Sequence, residues 1–115
     1  MKVRLIDIYN SVSVLNKLVE EPLPTKTSFK LMKLLNILNA EVKLVEDQRV
    51  KLIKQYSMDG TTVSEQNKEN FIKEFTDFLN DEVEVQWEPV EIDNLGDNLK
   101  LSVADLSKIQ YLFKE

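Results

Sequence analysis

The sequence of 115 residues contains no cysteine, no histidine, two glycines and three prolines. Each scarcity excludes some chemistry. Without His or Cys there is no nucleophilic triad of the usual kind, no thiol nucleophile and no structural zinc site. Two glycines cannot supply a glycine-rich phosphate cradle. No segment approaches the roughly 18 apolar residues of a membrane span, and the start lacks the apolar core of a signal peptide. These exclusions point to an intracellular soluble protein, not an enzyme, with no cofactor and no metal. What is present is 43% hydrophobic and 30% charged residues, enough for one domain with a modest core.

Helical periodicity dominates the first half. Leu5, Ile8, Val12, Leu15 and Leu18 recur at helical spacing and predict a helix over Leu5 to Val19. Met1 to Arg4 reads as a short strand or a frayed lead-in. Pro22 and Pro24 end the helix, because proline lacks an N–H and restricts the residue before it. From about Thr27 to Tyr56 there is neither Gly nor Pro. Leu31, Leu35, Leu38, Val42, Val45, Arg49, Leu52 and Tyr56 alternate at spacings of four and three, a heptad seam broken once by Arg49. Such a helix is about 45 Å long at about 1.5 Å per residue, longer than its hairpin partner. Its far end needs another partner, either the C-terminal part of the chain or a second subunit. The seam is therefore read as an oligomer contact as well as a hairpin contact. Arg49 either snorkels to the surface or pairs with Glu46, Asp47 or a C-terminal carboxylate.

The second half changes character. Asp59-Gly60 marks a turn, Ser64 offers an N-cap, and Glu65 to Asn80 reads as a third helix with Phe71, Ile72, Phe75, Phe78 and Leu79 on its core face. Val83, Val85 and Trp87 then alternate with Glu82, Glu84 and Gln86 in a strand pattern, interrupted by Pro89 and resumed by Val90 and Ile92. Asn94 to Asn98 is a turn, and Leu99 to Leu101 a short return strand. Ser102 and Asp105 form a capping box for a last helix reaching about Phe113. The expected fold is α+β and mostly helical: a helical hairpin with one long helix (1–58), then a third helix, a small β-hairpin and a C-terminal helix (59–115), in one domain.

Charge is divided along the chain. Residues 1–58 hold ten basic and six acidic side chains, a net of +4, and residues 59–115 hold five and fourteen, a net of −9. Seven acids and no base lie within 81–97. Two candidate sites follow. The entry to the long helix, with Thr25, Lys26, Thr27, Ser28 and Lys30, combines lysines, hydroxyls and a helix N-terminus, the elements of a phosphate or other anion site. The alternative there is an ordinary cap by Thr25 or Thr27 beside solvated lysines. The acidic strand region, with Glu84, Trp87, Glu88 and Glu91, offers a protein-partner surface, or else a solvated edge kept from pairing by its charge. A pI of 4.8 without a basic aromatic-interleaved patch argues against direct nucleic-acid binding.

Four stretches resemble a group of small phage- and prophage-encoded proteins with no assigned activity. They are Leu23-Pro24-Thr25-Lys26-Thr27, Arg49 to Tyr56, Phe75 to Glu84 and Ser102 to Leu106. The resemblance implies a viral or prophage origin and a cytoplasmic place in an infected or lysogenic bacterial host. The expected function is a non-enzymatic, oligomeric binding protein that inhibits or sequesters a host defence protein or a phosphate-bearing signal molecule. The alternative is a virion assembly or structural protein built from helical oligomers.

Overall fold

The computed structural model describes residues 1–96 and 99–114. Asp97 and Asn98, part of the acidic run and of the expected turn, lie outside the described residues. The chain orders as β1 (Lys2–Arg4), α1 (Leu5–Val19), α2 (Thr25–Tyr56), α3 (Lys68–Leu79), β2 (Glu82–Glu84), β3 (Val90–Glu91), a 3₁₀ turn (Ile92–Leu95), α4 (Val103–Ile109), a second 3₁₀ turn (Gln110–Leu112) and β4 (Phe113–Lys114). The fold is α+β and mostly helical, and the 32-residue α2 sets its 51 Å long axis.

α1 folds back on α2 and buries Leu5, Ile8, Ser11, Val14, Leu15 and Leu18. The core between them takes Leu31, Leu34, Leu35 and Leu38 from α2 and Ile109, Leu112 and Phe113 from the C-terminal segment. Much of the α2 seam is thus buried inside one chain. Leu31, Leu38 and Val45 are at most 1% exposed and Leu52 is 5% exposed. These side chains are enclosed by the chain itself, while Val42, Arg49 and Tyr56 of the same stripe stay half-exposed. Arg49 is half-buried, and its Nε lies 3.1 Å from Glu46 Oε2, so the seam charge finds its partner one turn back. The same carboxylate accepts the Tyr9 phenol at 2.8 Å, tying α1 to α2.

The far end of α2 is covered by α3. The intervening turn is organised by Asp59, whose Oδ1 accepts the N–H groups of Thr61 and Thr62 at 2.9 and 3.0 Å and the Ser57 hydroxyl at 2.8 Å. These donors hold its carboxyl well below the usual carboxylate range. Gly60 takes a φ of 82° there, a conformation glycine adopts without Cβ strain. The third helix begins at Lys68 with Asn67 at its cap position, later than expected. Ser64 is not its cap: the Ser64 carbonyl accepts the Asn67 N–H at 3.0 Å, and its buried hydroxyl has no partner among the described residues. α3 rests mainly on α2. Its phenylalanines are half-buried, with the Phe71 and Phe75 rings stacked at 5.8 Å.

The expected β-hairpin does not form. β2 pairs antiparallel with β1 instead, in the register Lys2↔Glu84, Val3↔Val83, Arg4↔Glu82. The register places Lys2 and Arg4 opposite Glu84 and Glu82, which cross-strand electrostatics favours, and turns Val3 toward the core. β3 pairs in parallel with β4, Val90 beside Phe113 and Glu91 beside Lys114. Pro89, which has no N–H to donate, separates the two pairings. Leu99–Leu101 is not a strand. α4 stops at Ile109 rather than near Phe113, because the chain then turns to supply β4. The Ser102 hydroxyl caps α4 by accepting the Asp105 N–H at 3.0 Å.

Candidate functional site

The entry to α2 is chemically unusual. Pro24 occupies the cap position, no side chain caps the helix, and the first turn contains no acid. The Ser28 N–H reaches the Pro24 carbonyl at 2.9 Å, so the N–H groups ahead of it have no intrahelical acceptor. Lys26 and Lys30 stand one turn apart on this end, both exposed. Among the described residues, neither ammonium belongs to an ion pair.

The opposite wall comes from sixty residues further along the sequence. After β2 the chain crosses α2, and the Trp87 indole Nε1 donates to the Leu112 carbonyl at 2.9 Å. This bond fixes the ring, which stays half-buried. Between Trp87 and the α2 entry lies a groove of two adjoining compartments. The inner one, about 170 Å³, is lined by Lys26, Thr27, Leu31, Asn94 and Phe113. The outer one, about 290 Å³, is lined by Lys33, Leu34, Ile37, Gln86 and Glu88. Lys30, Trp87 and Val90 line both. Lys33 lies at the outer rim with its Nζ 4.5 Å from the centre of the Phe29 ring.

The structure therefore joins parts of the two candidate sites into one. From the basic entry it brings in Lys26, Thr27 and Lys30; from the acidic region it brings in Trp87 and Glu88. The remaining candidates are elsewhere or already engaged. Thr25 does not line the groove. Ser28 is directed to the Leu23 carbonyl at 3.4 Å, and the Thr27 hydroxyl proton is spent on the Asn94 carbonyl at 3.0 Å. The Thr27 bond is structural, because it fastens α2 to the first 3₁₀ turn. Glu84 meets the Met1 amino group at 2.9 Å, and Glu91 faces Lys114 at 3.8 Å. Val90, Asn94 and Phe113 are lining residues that sequence reasoning missed. Nothing local marks them; Val90 and Phe113 arrive through the parallel pairing of β3 with β4, and the Asn94 carbonyl is held by the Thr27 hydroxyl.

Among the described residues no group of three or more acidic side chains is arranged to hold a metal ion, and no helix is long and apolar enough to cross a membrane. Compared with protein-family models, curated proteins and solved structures, the chain matches none.

Proposed function

We propose that this chain is a non-enzymatic binding protein that takes up a phosphate-bearing small molecule in the groove between α2 and Trp87. The observation that carries the reading is the pair Lys26 and Lys30, without a carboxylate partner among the described residues, on the rim of a cavity whose opposite wall is a fixed indole. Two ammoniums near a helix N-terminus favour an anion, and an aromatic wall favours the body attached to it. Binding without chemistry fits residues that present charge and apolar surface but no His or Cys. In the phage-infected cytoplasm that the sequence resemblance implies, occupancy alone has an effect: a signal held in the groove does not reach its receptor.

The test is native mass spectrometry of protein purified gently from its bacterial host, followed by equilibrium dialysis against phosphate-bearing metabolites. The expected result is a retained mass that the double variant Lys26→Glu, Lys30→Glu loses while its helical circular dichroism stays that of the wild type. Retention unchanged by the double variant, or no bound anion in either assay, overturns the proposal. The same spectrum reports the subunit count.

A further inference from the structure

The outer side of α2 carries apolar side chains that the described residues leave uncovered. A surface helix packed within one chain is normally polar on the side away from the core. Here Phe29 is 52% exposed, Met32 48%, Ile37 38%, Leu44 61% and Val50 44%. Helical spacing sets them away from the side that buries Leu31, Leu38 and Val45. Met32 and Val50 lie on one flank of this outer side, and Ile37 and Leu44 on the other. Between the flanks run Lys33, Ala40 and Asp47 at intervals of seven residues, all exposed. Among the described residues neither Lys33 nor Asp47 belongs to an ion pair.

The pattern is complementary to itself. Ala40 lies near the midpoint of α2, which spans Thr25–Tyr56. A two-fold axis beside Ala40 lays a second α2 antiparallel on the first, and each flank then faces the same flank of the other copy. Ile37 meets Leu44 of the partner subunit, and Met32 meets Val50 of the partner subunit. Lys33 meets Asp47 of the partner subunit, so the acid of this line faces a base at both ends. A homodimer contact must match itself under one rotation, and this face does so in both hydrophobicity and charge. The small Ala40 at the axis allows the backbones to approach closely. Helices crossing at about 20° diverge toward their ends, so Lys26 and Lys54, which the same rotation brings to one side, stay apart.

The exposed area is also sufficient. A folded monomer of 13.4 kDa exposes about 6,500 Å² by size scaling, whereas this chain exposes 8011 Å². The surplus comes from the drawn-out shape, 51 × 25 × 21 Å along α2. At roughly 1,500 Å² it is nearly twice the ~800 Å² that each partner gives to a stable interface.

We propose that α2 pairs antiparallel with α2 of a second copy of this chain, through Met32, Ile37, Ala40, Leu44 and Val50, with Lys33 and Asp47 paired across the contact. The contact lies on the side of α2 away from the Leu38 seam and needs no ligand in the groove.

Sedimentation equilibrium of the full chain from about 1 μM to about 1 mM tests this, with circular dichroism as the check on folding. The expected result is a species of twice 13.4 kDa that dissociates on dilution. Leu44→Glu is expected to remain monomeric throughout with wild-type helicity, because the side chain is exposed in the single chain. Asp47→Lys is expected to weaken the dimer about tenfold, since the like-charge contact occurs twice. Lys33→Asp combined with Asp47→Lys exchanges the two charges and is expected to restore most of the affinity. A wild type that stays monomeric, or a dimer that Leu44→Glu leaves intact, overturns the proposal. A charge-exchanged double variant as weak as Asp47→Lys alone overturns the antiparallel pairing.

Discussion

The phenol oxygen of Tyr111 lies 2.8 Å from the hydroxyl oxygen of Ser11 and bolts the C-terminal segment to α1. Ser11 is fully enclosed and gives its proton to the Ile8 carbonyl at 2.9 Å, so Tyr111 is the donor to Ser11. Burial pushes the Tyr111 phenol above the ordinary tyrosine value, and the Asp7 charge adds to it.

Tyr111→Phe is expected to cost about 1 kcal/mol near neutral pH, the net worth of one such bond. A raised folded pKa gives stability that is complete below the unfolded value and lost as pH rises through the folded one. Above about pH 10, the ordinary tyrosine value, the wild type therefore loses stability more steeply than the variant. Tyr9 and Tyr56 are also raised, each chiefly by donating to a carboxylate, so the variant's slope is reduced rather than removed. Urea unfolding at neutral and alkaline pH measures this, and identical slopes for the two proteins would sink the assignment.

Glu46 works at the other end of the pH scale. The Tyr9 phenol and then the Arg49 guanidinium hold its carboxyl below the usual range. A depressed pKa gives stability present above the unfolded value and lost as pH falls through the folded one. Glu46→Gln is expected to cost at most about 1 kcal/mol at pH 7, because the group is largely solvated. Its thermal midpoint should then fall less steeply than that of the wild type as pH drops below about 4, the ordinary glutamate range. Parallel midpoint curves for the two proteins would mean that the cluster contributes nothing to acid stability.

Leu38 tests whether the seam belongs to one chain. It is 0% exposed in the α1–α2 core, so Leu38→Ala is expected to cost about 2 to 5 kcal/mol through lost contacts and a cavity. Because the packing is within the chain, the drop in melting temperature from wild type to variant should not depend on protein concentration. Leu44, on the same helix but 61% exposed, should tolerate alanine within about 0.5 kcal/mol in dilute solution. A drop for Leu38→Ala that changes with concentration, followed by calorimetry over a wide dilution range, would give the seam an intersubunit role.

The two long helices were legible because their signal is local. The apolar repeat of α1 and α2 and the proline break between them specify periodicity within a few residues, and the observed bounds follow it. The Ser102 cap was legible for the same reason. The beginning of α3 was less so: Ser64 has the chemistry of a cap, but its hydroxyl is turned into the structure and the helix opens later.

Strand pairing lay beyond the sequence pattern. The alternation of Glu82 to Trp87 indicates an extended segment but does not name its neighbour. That choice fell to β1, where Lys2 and Arg4 meet two glutamates and Val3 reaches the core. The groove depends on it. Lys26 and Lys30 were recognisable as an anion-binding element, and Trp87 and Glu88 as a partner surface, each from its own stretch of chain. Their union was decided by the packing of β2 to β4 around α2, with the indole fastened to Leu112. Sequence by itself determined the helices, the charge division and the absent chemistries, because these depend on residue type and near neighbours. Tertiary structure alone decided which strands pair, which seam is enclosed and which two sites become one, because those outcomes depend on residues far apart in the chain competing for the same buried surface.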